Sequence, residues 1–79
     1  MNENDDMEFW IVEQYVDLGN ESFWHEKARL LRSPFQSETK VRESCRLVGE
    51  RDVLKYGGRY RILVIKEQTR YDSEVINGL

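Results

Sequence analysis

Residues 8–16 have the sequence EFWIVEQYV, and this stretch decides the fold because it is rich in the β-branched and aromatic residues typical of a strand. Successive side chains of a strand point to opposite faces. The apolar side chains then form two sets, Phe9, Ile11 and Tyr15 on one face and Trp10, Val12 and Val16 on the other. Apolar groups on both faces predict an interior strand, or a strand with one exposed face that binds a partner.

The segment after this strand predicts a turn followed by a second strand. Asp17-Leu18-Gly19-Asn20 supplies residues that tolerate positive φ, and so short a connection favours a hairpin. Residues 22–35 fit two structures. As a helix, the segment has an apolar stripe that includes Trp24. As a strand, it pairs with residues 8–16 and ends before Pro34, a residue suited to strand ends. We favour the strand.

The middle of the chain predicts a helix. Ser37 is placed as the N-cap and Glu38 lies in the first turn. Three apolar residues then follow at the i, i+4, i+7 spacing of one helix face, namely Val41, Cys45 and Val48. Gly49 is either the terminator of this helix or a weak point within it, if the helix continues toward Tyr56.

The pair Gly57-Gly58 marks a break, and the most strongly predicted strand follows at residues 60–65. Residues 67–79 are more polar, with Tyr71, Val75 and Ile76 docking as a short strand or turn. The favoured order is β-β-α-β, one helix packed on a small antiparallel sheet, which belongs to the α+β class. The alternative order is β-α-β-β, with residues 21–32 helical and 39–48 a strand.

The length of 79 residues allows one domain with one core. We expect residues 1–7 to form a flexible acidic tail and residues 8–79 a single α+β domain. The sequence shows neither a signal peptide nor an apolar run long enough to cross a bilayer, so no membrane partner is expected. Cys45 is the sole cysteine, so no internal disulfide can form, and the expected location is the cytoplasm.

Charge is distributed unevenly along the chain, whose formal net charge is −3. Residues 1–24 carry seven acids and no Lys or Arg, whereas residues 25–61 carry ten bases and five acids. Such asymmetry indicates an electrostatic partner. The alternative is that the acidic and basic segments lie side by side in the fold and neutralise each other.

Residue types that support catalysis or metal binding are few. One histidine and one cysteine, His25 and Cys45, are too few for the usual zinc sites. Cys45 lies on the apolar stripe of the predicted helix, where a thiol is usually buried and inert. Gly57-Gly58 lacks the spacing of a phosphate-binding loop. We therefore expect no enzymatic activity, no cofactor and no metal.

Protein binding is the favoured function, because tryptophan, tyrosine and arginine are the residues that most often anchor interfaces. The candidate apolar contacts are Trp10, Tyr15, Trp24 and Tyr60, and the candidate steering acids are Glu8, Glu13 and Asp17. The simpler alternative is that the two tryptophans fill the core. A homo-oligomer is also compatible with the sequence.

Nucleic-acid binding is the second hypothesis, because the basic segment 25–61 is interleaved with aromatic residues that can stack on bases. Its candidate residues are Lys40, Arg42, Arg46, Arg59 and Arg61. The chain is nevertheless acidic, with a pI near 5.1, whereas nucleic-acid-binding domains are usually basic.

The order of an aromatic strand, a tryptophan-containing second strand, Phe35-x-Ser37-x-x-x-Val41-x-x-x-Cys45 and then Tyr60-Arg61-Ile62 resembles small uncharacterised phage and prophage proteins. The resemblance covers roughly residues 9–65. It implies a β-β-α-β fold, no catalytic residues and, for a phage-encoded chain, the cytoplasm of the host cell. It also implies a protein that binds and inhibits or redirects a host protein or nucleoprotein complex, as anti-CRISPR proteins do during host takeover.

Overall fold

The computed structural model describes residues 7–66 and 69–77, except for the side chains of residues 69–74 and 77. Apart from Met7, the predicted acidic tail lies outside these described residues. The elements in chain order are β1 (Glu8–Asp17), β2 (Ser22–Arg32), α1 (Glu38–Asp52), a 3-10 turn (Leu54–Tyr56), β3 (Arg59–Lys66) and β4 (Thr69–Asn77).

The four strands form one antiparallel sheet in the order β2-β1-β3-β4, and α1 packs on one of its faces. The α+β class and the favoured order β-β-α-β are confirmed, with β4 added after the third strand. The alternative order is wrong, because residues 22–32 are a strand and residues 39–48 lie within the helix.

The hairpin of β1 and β2 is closed by the predicted turn. The Gly19 N–H donates to Asp17 Oδ1 at 2.8 Å, and the Leu18 N–H donates to the Glu21 carbonyl at 2.8 Å. Gly19 has a φ of 90°, a conformation that costs glycine little. Aspartate and glycine therefore fix this turn through their local chemistry, which explains why the sequence predicts it.

A β-bulge interrupts the pairing of β1 with β2. Val12 pairs with Ala28 but Glu13 pairs with Glu26, so that Lys27 is an extra residue in β2. The extra residue reverses the alternation of β2 at this point. As a consequence, Ala28 packs against the core, whereas Trp24 lies on the opposite face of the sheet.

Helix α1 begins as predicted. The Lys40 N–H donates to Ser37 Oγ at 3.4 Å, which identifies Ser37 as the N-cap. Val41 and Cys45 are buried against the sheet, and Val48 is half-buried beside them. This stripe confirms the face that the apolar spacing predicted.

Gly49 does not terminate the helix, which continues to Asp52. A Cβ at this position would lie within 2.6 Å of three atoms of the Tyr60 ring. Tyr60 is only 1% exposed, because its ring lies directly against the helix backbone. The absence of a side chain at Gly49 therefore allows the Tyr60 ring to pack against the helix backbone.

The core lies between α1 and the sheet. Its buried members are Trp10, Val12, Val41, Cys45, Val53, Tyr60 and Ile62. The chain then leaves the helix through the 3-10 turn and Gly57, whose φ of 77° confirms the predicted break before β3.

Replacing Gly49 with alanine tests the contact between helix and sheet. We expect Gly49→Ala to lower the free energy of unfolding by about 1 kcal/mol or more, because overpacking against Tyr60 outweighs the better helix propensity of alanine. Urea unfolding followed by circular dichroism measures this change. The control is Glu50→Ala at the next, exposed position, where we expect a change within about 0.5 kcal/mol. A Gly49→Ala variant more stable than the wild type would contradict close packing of the Tyr60 ring on the helix backbone.

Candidate functional site

The face of the sheet opposite α1, called the open face below, carries the candidate site. Trp10, Val12, Tyr60 and Ile62 point into the core, so the residues that alternate with them point to the open face. Within residues 7–66 and 69–77, no helix lies over this face. Its side chains must therefore cover the sheet themselves.

Five side chains from three strands form a continuous cluster on the open face, called the cation–aromatic cluster below. They are Glu13 and Tyr15 of β1, Trp24 of β2, and Arg59 and Arg61 of β3. The Tyr15 and Trp24 rings meet edge to face, with centroids 5.3 Å apart. The Arg59 guanidinium carbon lies 4.7 Å from the Tyr15 ring centroid, and that of Arg61 lies 4.3 Å from the Trp24 ring centroid.

One end of the cluster is a largely buried ion pair. The Arg61 Nε–H donates to Glu13 Oε1 at 2.8 Å, and a terminal nitrogen of Arg61 lies 2.8 Å from the same oxygen. The Arg61 and Glu13 side chains are only 16% and 10% exposed. At this burial an ion pair is screened little by water, and loss of either partner leaves an uncompensated charge. The pair therefore holds β1 and β3 together and fixes the orientation of the guanidinium over Trp24.

A second ion pair on the open face is exposed. Arg29 and Glu26 of β2 lie 2.8 Å apart, with side chains 47% and 44% exposed. The hydrogen bonds from Arg29 hold the pKa of the Glu26 carboxyl below its ordinary value. Arg29 also lies over Phe9, with 5.3 Å between the guanidinium carbon and the ring centroid. Such a pair contributes little to stability but leaves Glu26 ionised and compensated.

The other half of the open face is apolar. Ile11 and Leu63 pair across β1 and β3 and are 1% and 0% exposed, although they lie on the open face. Long neighbouring side chains can seal such residues with their aliphatic stems. Phe9 and Leu31, which pair across β1 and β2, remain exposed. The open face thus has an apolar half and a half formed by the cation–aromatic cluster.

The four predicted apolar contact residues are divided between the two faces. Trp10 and Tyr60 are each 1% exposed within the core, so neither side chain can reach a partner, and their assignment to a binding surface is corrected. The reason is that α1 covers the face of the sheet from which they project. Tyr15 and Trp24 are half-buried members of the cluster on the open face.

The three predicted steering acids already have partners within the chain. Glu8 pairs with Arg32 at 3.0 Å and accepts a hydrogen bond from Trp10 Nε1 at 3.0 Å. Glu13 pairs with Arg61, and the Asp17 carboxylate binds the backbone of the hairpin turn. Two of the pairs join the acidic segment 1–24 to the basic segment 25–61. Mutual neutralisation therefore accounts for part of the charge asymmetry.

The five residues of the nucleic-acid hypothesis do not form one patch. Lys40, Arg42 and Arg46 lie on α1, whereas Arg59 and Arg61 lie on the open face, on the other side of the sheet. Arg42 pairs with Glu38 at 3.2 Å and lies over the Trp10 ring at 4.9 Å. The structure instead brings two of these arginines against two of the predicted protein-binding aromatics.

Sequence reasoning did not assign Phe9, Leu31 or Arg29 to the candidate site. Strand alternation contained part of the signal, because Phe9 and Ile11 alternate with the core residues Trp10 and Val12. The missing information was which face α1 covers.

The residues considered for chemistry are placed apart in the fold. Cys45 is buried in the core, whereas His25 is exposed on β2. In the described part of the chain, no three His, Cys, Asp or Glu residues are grouped so as to hold a metal.

None of the helices in residues 7–66 and 69–77 has the length and apolar character that crossing a bilayer requires. No protein-family model, curated protein or solved structure matches the chain.

Removing the Glu13 carboxylate tests the buried ion pair. We expect Glu13→Gln to lower the free energy of unfolding by about 2–3 kcal/mol, because it leaves Arg61 buried without a carboxylate. The matched control is Glu26→Gln in the exposed pair, where we expect less than about 1 kcal/mol. Urea unfolding of both variants gives the comparison. Equal decreases in the free energy of unfolding would show that burial of the Glu13–Arg61 pair does not increase its contribution to stability.

Proposed function

We propose that the chain is a non-enzymatic protein-interaction module that binds its partner through the open face. The observation that carries this proposal is the cation–aromatic cluster on the side of the sheet that α1 leaves uncovered. Tyrosine, tryptophan and arginine are the side chains that contribute most to protein–protein binding. Here Tyr15, Trp24 and Arg59 lie within one set of mutual contacts. Phe9 and Leu31 are exposed apolar side chains at the far end of the same face.

Preorganisation of the cluster supports the same function. Tyr15 contacts both Trp24 and Arg59, and the Trp24 ring is stacked against Arg61, which the Glu13 ion pair holds in place. Ordering a flexible side chain on binding costs about 0.5–1.5 kcal/mol. Side chains that are already ordered avoid much of this cost, so more of their contact energy goes into affinity.

We also propose an identity for the partner. The resemblance to small phage proteins makes a host nucleoprotein or nuclease in the bacterial cytoplasm our candidate, with inhibition or redirection of that complex as the effect. An anti-CRISPR activity is one form that this effect takes.

Nucleic-acid binding through the open face is the second candidate, because arginines lie beside aromatic rings there. The acids of the same face weigh against it. Arg61 is neutralised by Glu13 and Arg29 by Glu26, so few of the described cations of this face remain for phosphates. This candidate requires binding of a labelled oligonucleotide that weakens steeply as salt rises, as fluorescence anisotropy would show.

A pull-down from bacterial lysate with the full chain tests the protein-interaction proposal. We expect a stoichiometric protein partner, whose recovery falls at least about tenfold with Trp24→Ala, since a central aromatic anchor contributes about 2 kcal/mol or more. Leu47→Ala is the control, because Leu47 is an exposed apolar side chain on α1, away from the open face. Circular dichroism confirms that both variants are folded. A partner that is indifferent to Tyr15→Ala and Trp24→Ala would contradict the proposal.

A further inference from the structure

We infer that the partner is an acidic protein segment, which places an Asp or Glu carboxylate against the Arg59 guanidinium. The inference rests on the proposed function and names the chemistry of its partner. It follows from the charges of the open face, from the geometry of Arg59 and from the distribution of apolar surface along β1.

Among the described side chains of the open face, Arg59 is the arginine that has no carboxylate partner. Arg61 is paired with Glu13, and Arg29 is paired with Glu26, each at 2.8 Å. The Asp17 carboxylate is occupied by the hairpin turn. Arg59 is exposed, and its guanidinium lies over the Tyr15 ring rather than against a described carboxylate.

The Arg59 guanidinium is oriented so that a carboxylate can bind it. It stacks 4.7 Å from the Tyr15 centroid, and Tyr15 is in turn held edge to face by Trp24. Stacking of a guanidinium on a ring leaves its N–H groups directed outward in the plane, where a carboxylate can accept two parallel hydrogen bonds. Lysine at this position would supply the charge without that bidentate geometry.

The cations of the open face suit a protein carboxylate better than a nucleic-acid backbone. A nucleic-acid strand presents repeated phosphates and needs several unpaired cations along its path. Among the described side chains of the open face, Arg61 and Arg29 are paired with carboxylates and Arg59 is not, so the face does not offer the several unpaired cations that a phosphate backbone needs. A single carboxylate within a largely apolar segment fits this layout.

The distance between the two halves of the open face indicates the length of the segment. Phe9 and Leu31 lie at one end of β1 and Tyr15 lies six residues further along the strand, so the two halves are roughly 20 Å apart. We therefore expect an amphipathic segment of about 12 residues, which spans roughly 18 Å as a helix. Its apolar side chains lie on Phe9 and Leu31, and its carboxylate lies on Arg59.

The test is selection of phage-displayed random peptides of about 12 residues on the full chain, with counter-selection on Trp24→Ala. We expect the enriched peptides to share an Asp or Glu beside apolar residues. Exchange of that acid for its amide, and Arg59→Gln in the protein, should each weaken binding at least about tenfold, and less than additively when combined. Arg59→Lys should bind between the wild type and Arg59→Gln. The control Arg51→Gln removes an exposed arginine of α1 that is paired with Asp52, away from the open face, and binding should stay within about threefold.

Failure of the carboxylate inference and failure of the proposed function give different results. Enriched peptides without acids, or binding that is unchanged in Arg59→Gln, would overturn the carboxylate inference and leave the interaction surface in place. Absence of any peptide that depends on Trp24 would overturn both. Binding of a fluorescent single-stranded oligonucleotide that is lost in Arg59→Gln would overturn the inference in favour of a phosphate ligand.

Discussion

Helix α1 covers one face of the four-stranded sheet, and this one-sided packing determines how the strand residues are used. On the covered face, the distance between helix and sheet is set by the Tyr60 ring against the backbone of Gly49. On the open face, Ile11 and Leu63 are buried although no helix within residues 7–66 and 69–77 covers them. A small chain can cover one face with a helix and must cover the other with long side chains. Arginines are suited to that role, because their stems are apolar and their planar ends stack on rings.

The Glu13–Arg61 pair has a place in this arrangement beyond its contribution to stability. Replacement of a buried ion pair by apolar residues is often neutral or stabilising, so stability alone does not account for it. Here the pair lies between β1 and β3 and directs Arg61 over Trp24 of β2. It thereby ties together the three strands that carry the cation–aromatic cluster. We regard it as an element that specifies the arrangement of the open face.

Much of the fold was predictable because its signals are local. The Asp17-Leu18-Gly19-Asn20 turn, the Ser37 N-cap and the break at Gly57 each act through neighbouring residues, and each is found where the sequence places it. Gly49 was harder, because its partner Tyr60 lies in another element. The site was predictable only in part. Alternation separates Trp10 from Tyr15 but does not show which face a helix will cover, and the bulge at Lys27 changes the face of Trp24.

That bulge also bears on how copies of the protein behave at high concentration. β2 is an outer strand of the sheet, so its unpaired backbone groups could template further strands from other molecules. The irregularity at Lys27, together with the charges of Glu26 and Arg29, disrupts the flat, regular edge that such stacking requires. The chain can thus display aromatic residues and still resist fibre formation along this edge.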